Sequence, residues 1–289
     1  MKTILLPTDF SETANYALEV AAQLTKKFGS KLILLHMLEI SEPLLPQVPL
    51  SNDVSPVQNT HQHDLPEALF YMKLARKRFK ELADLPFMQG VDHEDEVQNH
   101  LDFKGIIDSA HKYNADLIVM GSHGATGIKE VFVGSNTEKV VRTSDIPVLV
   151  IKRKHEKFNV RNFVFATNWE AENKRAFLNA YNFLKKFEAK MHLLYVNTAG
   201  SEFLTSKEIH EKFKIMLQET NINSDDISTN IYSDKSVEHG ILNFSKEIDA
   251  DLIGIPTHGR RGLAHFLNHS IGEEVANHAE IPVITFKVE

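Results

Sequence analysis

"TILLPTDFSETANYALEVAAQLTKKFGSKLILLHML", residues 3–38, aligns without a gap with "NFVFATNWEAENKRAFLNAYNFLKKFEAKMHLLYVN", residues 162–197. In each stretch two short apolar runs flank an amphipathic segment of helical length. Later, "NADLIVMGSHG" and "DIPVLVIK" in the first half are answered by "DADLIGIPTHG" and "EIPVITFK" in the second. Self-similarity over this length marks a duplicated unit. The units run over about 2–152 and 162–288, with the polar "KRKHEKFN" at 152–159 as linker. This predicts two domains, 1–152 and 160–289.

Short apolar runs such as "LILLHM", "DLIVMG" and "PVLVI" read as parallel strands buried on both faces. Helical patterns alternate with them. After Pro66, Leu69, Met72, Ala75, Phe79 and Leu82 recur at helical spacing behind an Asp64-x-x-Glu67 start signal. Thr205-x-x-Glu208 opens another helix, with Ile209, Phe213 and Met216 on one face. Both stripes are expected to face the core. Strand–helix alternation predicts an α/β fold: two tandem doubly wound domains, each a five-stranded parallel sheet with helices on both faces. The first unit is longer by about 24 residues. The excess falls in "SEPLLPQVPLSNDVSPVQNTHQHD", whose Pro, Ser, Asn and Asp content predicts a surface loop.

Composition narrows the function classes. The 289 residues are 42% apolar and 25% charged, enough for sizeable cores, and cysteine is absent, which removes disulfide and thiolate-metal chemistry. The N-terminal "MKTILLPTDF" is too short for a signal sequence and no apolar run would span a membrane, so a soluble cytoplasmic protein is expected. A net charge of −7 argues against a sequence-independent nucleic-acid binder. Walker A, zincin, nucleophile-elbow and G-x-G-x-x-G patterns are all missing.

One loop does carry a chemical signature. In an open α/β sheet, ligands bind beyond the carboxyl ends of the strands at the switch point. There "GSHGATGIKEVFVGSNTEKV", 121–140, places Gly121 and Gly124 where backbone is expected to approach a ligand, then Gly134-Ser135 ahead of a helix. Unpaired N–H groups and the helix dipole at such a start attract an anion. The first strand delivers "PTDFS" to the same edge, so Asp9 is placed to meet the adenosine part of a nucleotide. Asp9 as a mere helix cap is the competing reading. Ser135-x-x-Glu138 and Ser270-x-x-Glu273 share capping-box spacing, so Ser135 is expected to cap its helix as well.

Through Gly121, Gly124, nine residues, Gly134 and Ser135, with "PTDFSE", "LLHM", "ADLIVMGSHG" and "IPVLVIK" around them, the chain resembles the universal stress protein family in its tandem form. The resemblance implies ATP or another adenine nucleotide, with Mg2+ or Mn2+ on the phosphates. It implies that Pro7, Thr8, Asp9 and Met37 surround the adenosine, and that Met120, Gly121, His123 and Gly124 follow the ribose and inner phosphate. Gly134, Ser135, Asn136 and Thr137 are then expected at the outer phosphates. It also implies dimers joined through the last strand, so "IPVLVIK" and "IPVITFK" are expected to pair within one chain as a pseudo-dimer, with further homodimers open.

The second copy departs from the pattern. Pro256 replaces Gly121 and has no N–H, His269 replaces Gly134, and Asn168 replaces Asp9. Retained architecture without the same nucleotide site is the expectation. A different anion on Arg260, Arg261 and His269 is the alternative. His123 and His258 recur in both copies, which suits packing better than catalysis. "HQHD" at 61–64 offers alternating histidines for zinc or nickel, against the blander reading of a polar loop. Function is therefore expected to be nucleotide-linked regulation through an unknown protein partner, without nucleic acid or membrane. A slow ATPase or autophosphorylating protein lacks a recognisable base, and a nucleotide-independent interaction scaffold is the third reading.

Overall fold

The computed structural model describes residues 1–38, 64–99, 103–122, 134–200, 203–222, 227–257 and 271–288, with the backbone alone at 64–68, 99 and 271–274. The first half contributes β1 (Thr3–Pro7), α1 (Glu12–Phe28), β2 (Lys31–Leu38), α2 (Asp64–Ala83), β3 (His93–Asn99), α3 (Lys104–Lys112), β4 (Leu117–Gly121), α4 (Ser135–Thr143) and β5 (Val148–Ile151). The second repeats it with β6 (Asn162–Ala166), α5 (Lys174–Leu184), β7 (Lys190–Thr198), α6 (Ser206–Thr220), β8 (Ile227–Asp234), α7 (Val237–Glu247), β9 (Leu252–Thr257), α8 (Ile271–His278) and β10 (Val283–Lys287). Among the described residues no helix is long and apolar enough to cross a membrane.

The strands form one sheet in the order β3-β2-β1-β4-β5-β10-β9-β6-β7-β8. Every pairing is parallel except β5 with β10, where the two halves meet antiparallel and Leu149 stands opposite Ile284. Those two residues hold equivalent places in the repeat, so a pseudo-two-fold axis passes through that pair. The expected five-stranded parallel units and their internal pairing through the last strands are both present.

The repeat extends to backbone details. Left-handed φ occurs at matched positions: Phe10 (62°) and Trp169 (59°), Gly29 (60°) and Glu188 (56°), Asn114 (48°) and Asp249 (50°). A strand-start anchor is duplicated too. The Asp116 carboxylate accepts the N–H groups of Lys2 and Thr3, and Asp251 accepts those of Arg161 and Asn162. A charged acceptor on otherwise unpaired amides fixes where each first strand begins.

Apolar strands explain the core. Ile4, Leu5 and Leu6 of β1 are all fully buried, as a parallel strand covered on both faces requires. On the face carrying α1, α2, α5 and α6, one apolar cluster runs through both halves. On the opposite face the α3/α4 and α7/α8 sides form two separate clusters. Matched core positions trade volume: Ile4, Leu6 and Val119 correspond to Phe163, Phe165 and Gly254. A Cβ on Gly254 would lie 2.3 Å from a Phe163 ring carbon, so the small residue answers the large one.

One expectation needs correction. Among the described α2 side chains, 69–83, only Ala75, Phe79 and Leu82 are buried, whereas Leu69 is 51% exposed. Within that span the helix reaches the core through its C-terminal part. The linker packs on the first half: Gln23 of α1 donates to the His155 carbonyl (3.0 Å) and accepts the Phe158 N–H (2.7 Å), while Phe158 and Val160 are buried. The Thr205–Glu208 capping box on α6 is formed as expected. The Pro-rich stretch and the histidines His61 and His63 lie outside the described residues.

Lysines cross the seam in both directions. Lys152, after β5, donates to the carbonyl of Asn277 in the last turn of α8, and Lys287 of β10 reaches the Thr143 carbonyl at the end of α4 at 3.5 Å. Cations suit helix C-termini, whose last carbonyls lack internal partners. Burial nevertheless pushes the Lys152 amine down to about 8, with nearby Arg153 adding to the effect.

Candidate functional site

Strand order turns at β1 and β4, which lie side by side. The carboxyl ends of these strands therefore open a crevice at the switch point. One lip is the turn after β1. Thr8 donates its N–H to Leu35 (2.8 Å), and its hydroxyl oxygen accepts the Phe10 N–H (3.0 Å). Asp9 Oδ1 accepts the Ser11 N–H (3.0 Å), and Ser11 in turn accepts from Ala14 as the N-cap of α1. Phe10 takes left-handed φ, and its ring packs 4.5 Å from the His36 ring and 5.4 Å from that of Phe79. His36 Nδ1 donates to the Thr8 carbonyl (2.7 Å), since a carbonyl can only accept.

Helix capping thus falls to Ser11, and Asp9 makes the turn before it. The second half builds the same turn with an amide: Asn168 Oδ1 accepts from Glu170 (3.3 Å), Thr167 from Trp169 (3.3 Å), and the Trp169 indole donates to Leu194 (3.2 Å). A neutral Asn suffices for the backbone geometry. The negative charge of Asp9, exposed at the sheet edge, is surplus to the turn.

The other lip is the end of β4 and the start of α4. Gly121 is required here by the protein's own backbone: a Cβ would lie 2.7–2.8 Å from Thr13 and Ala14 in the first turn of α1. This packing demand is a second reason for glycine here, beside the ligand approach expected from the sequence. In the second half the matched residue is Pro256, whose ring a helix start placed like that of α1 would not admit. The corresponding positions Glu172 and Asn173 belong to a 3-10 turn, Ala171–Asn173, and α5 begins only at Lys174. Bulk at this position and a displaced helix start go together.

The cap of α4 differs from expectation. Its N-cap is Gly134, in extended conformation (φ −57°, ψ 146°), with no side-chain cap bond among the described residues. Ser135 is the first helical residue instead. The Gly134 amide donates to the Ser122 carbonyl across the intervening residues, which draws the chain into the helix one residue early. Thr137 then fastens the helix, its buried hydroxyl donating to the Gly121 carbonyl (2.9 Å). The first turn of α4, with no cap bond from a side chain at its N-cap, thus stands at the carboxyl end of β4.

The structure therefore brings Pro7, Thr8 and Asp9 on one lip near Gly121, Gly134, Ser135, Asn136 and Thr137 on the other. Met120, buried, and Met37, half-buried, join the apolar cluster on the α3/α4 face. His123 and Gly124 lie outside the described residues, as do His258, Arg260, Arg261, His269 and Ser270 of the second copy. His36 and the Thr137 hydroxyl were missing from the sequence reading as positioning groups. Their hydrogen bonds are long-range, and only the presence of polar residues at otherwise apolar element ends hints at them. Among the described residues no group of three or more His, Asp or Glu side chains could hold a metal ion. A divalent cation here would rest mainly on the oxygens of its own ligand.

Comparison with known proteins adds four findings. The profile of the universal stress protein family matches residues 1–152 and again 159–287. The universal stress protein MJ0577 of Methanocaldococcus jannaschii is 36% identical over 169 residues, spanning 53% of this chain and 96% of that protein. Slr1230, a universal stress protein of Synechocystis, is 21% identical over 316 residues, covering 99% of this chain and 100% of its own. In fold, the chain is similar to the crystal structure of a universal stress protein from Archaeoglobus fulgidus, with a TM-score of 0.68, 22% identity, and coverage of 99% and 96%.

Proposed function

The chain belongs to the universal stress protein family, and on that premise we propose that its first half binds an adenine nucleotide, ATP with Mg2+ or Mn2+, as a regulatory ligand. The observation that carries the proposal is the start of α4. A glycine N-cap without a capping side chain leaves backbone N–H groups and the positive end of the helix dipole for phosphates. Thr137 holds this start against Gly121 at the switch point, facing the Asp9 turn. In this reading Pro7, Thr8, Asp9 and Met37 surround the adenosine. Met120, Gly121, His123 and Gly124 follow the ribose and inner phosphate, and Gly134 to Thr137 receive the outer phosphates. The second half, with Pro256 and Asn168, keeps the architecture without this site. Bound nucleotide would favour one conformation over another and so alter what a protein partner meets.

Titration calorimetry of the full chain with ATP and magnesium tests the proposal, repeated on Asp9→Asn. Asn168 makes the same turn, so this variant should keep its unfolding midpoint while losing a charge-assisted hydrogen bond. Such bonds contribute roughly 1.5–3 kcal/mol, so affinity should fall by about tenfold or more. One site per chain with that loss supports the proposal. Two sites, or an Asp9→Asn affinity equal to wild type, would contradict it. No binding at all would make the chain an interaction scaffold.

A further inference from the structure

The two outer strands of the sheet are built differently. β3, "HEDEVQN", carries three consecutive acids, with Glu94 paired to Lys31 at 2.6 Å and Glu96 paired to Lys112. β8, "ISTNIYSD", has β7 on one side, and among the described residues no strand on the other. It carries a single charge, Asp234 at its end, and no proline. All eight residues are at least partly exposed, Thr229 and Ser233 most of all. Natural sheets usually blunt such an edge with charge, proline or a bulge, because unpaired N–H and C=O groups invite another strand.

We propose that β8 is a self-association surface, on which a second copy of this chain pairs its own β8 antiparallel about a two-fold axis. Charge pattern selects this occupant. Antiparallel self-pairing of β3 would set acids against acids, whether Asp95 or Glu96 lay on the axis, and like charges directly opposite destabilise. For β8, with Ile231 on the axis, Asp234 faces Ser228 of the second copy and no acids stand opposite one another. The register about Asn230 would set Asp234 against Asp226 and is disfavoured. Pairing β8 with β3 of another copy would be head-to-tail and would run on into open filaments. A β8–β8 joint closes after two chains.

Apolar surface beside the edge agrees. Between α6 and β8 lies a groove lined by His210, Phe213, Lys214, Leu217 and Ile222, next to Thr229. Leu217, Ile222, Ile227 and Ile231 reach the core only in part. The β5–β10 seam shows how such a joint is completed in this chain. There the flanking elements meet over the paired strands, Phe28 against Phe187 at 5.3 Å between ring centroids. Two α6 helices brought together over a β8–β8 pair would cover their grooves in the same manner.

Sedimentation equilibrium of the full chain from about 1 to 100 μM, a range that spans the affinity of weak pairs, tests this. The expected result is a reversible rise toward twice the 32.8 kDa chain mass. The Thr229→Lys/Ser233→Lys double variant places charges on two exposed positions of the edge and should weaken dimerisation at least tenfold. Amide exchange on the wild type is the second measurement. Protection of 227–234 should grow with protein concentration, and it decides the matter should the variant fail to fold. A wild type that stays monomeric throughout, a dimer unchanged in the folded double variant, or concentration-dependent protection elsewhere without β8 would overturn the proposal.

Discussion

Replacing Gly134 with aspartate should move stability and nucleotide affinity in opposite directions. Gly134 sits at the N-cap of α4 with φ −57° and ψ 146°, a conformation open to any L-residue, so the change introduces no backbone strain. An aspartate there accepts a first-turn N–H and faces the positive end of the helix. Relative to glycine the cap contributes a few tenths of a kcal/mol, and the charge about 0.3–1 kcal/mol more. Free Gly134→Asp should therefore melt slightly higher than wild type, by about 1–4 °C. The same carboxylate occupies the N–H groups meant for phosphate and repels it. Two unit charges 4 Å apart near a protein surface interact by up to about 4 kcal/mol, and half of that already weakens ATP about thirtyfold. Differential scanning calorimetry and titration calorimetry read the two effects separately. At ATP one hundred times the wild-type Kd, ligand should stabilise wild type by about 2.7 kcal/mol and the variant by less than about 1 kcal/mol. A variant that binds ATP as well as wild type would refute the phosphate role of α4. One that loses stability together with binding would show that Gly134 serves the fold.

Two further outcomes test the packing and the seam. Gly254→Val pushes a side chain into the Phe163 ring and should cost about 1–3 kcal/mol by urea unfolding. Adding Phe163→Ile, which restores the first half's combination of Val119 and Ile4, should recover most of that loss, whereas strictly additive effects would disprove the exchange of volume. Lys152 titrates near 8 in the folded chain against an ordinary 10.5, so between those values the unfolded state holds the extra proton and stability rises with pH. From pH 8 to 9.5 that gain should be about 1–2 kcal/mol in wild type and absent in Lys152→Met; equal slopes would rule out the lysine as its source.

The duplicated unit and its strand–helix alternation were legible in the sequence because buried parallel strands write themselves as apolar runs, and two copies of the pattern check one another. Pairing through the last strands came from the family resemblance, and its antiparallel sense from the structure alone. The switch-point rule let the candidate site residues be grouped at one sheet edge. Their individual roles were less legible. Ser135 has capping-box spacing, yet a long-range bond from Gly134 to Ser122 starts the helix one residue sooner. Gly121 fits a ligand-approach motif, and its spacing gives no hint of the packing reason the structure adds, the first turn of α1 where a Cβ would sit. Leu69 keeps the helical rhythm of α2 in a stretch of that helix that does not pack on the sheet. Spacing reports local geometry; which atoms come to fill the space beside it depends on elements tens to hundreds of residues away.

The axis through Leu149 and Ile284 also bears on how such a molecule can change over generations. In an association of two identical chains every substitution arrives twice, so a change that suits one side must be survivable on both. Joining the two units in one chain lifts that constraint. Gly121 and Pro256 can then differ, each with its own start to the following helix, and Val119 can stay large where Gly254 has shrunk beneath two phenylalanines. The symmetric frame is kept while its two ends are free to diverge, one retaining Gly121 and Gly134 and the other carrying Pro256 and His269 in their place.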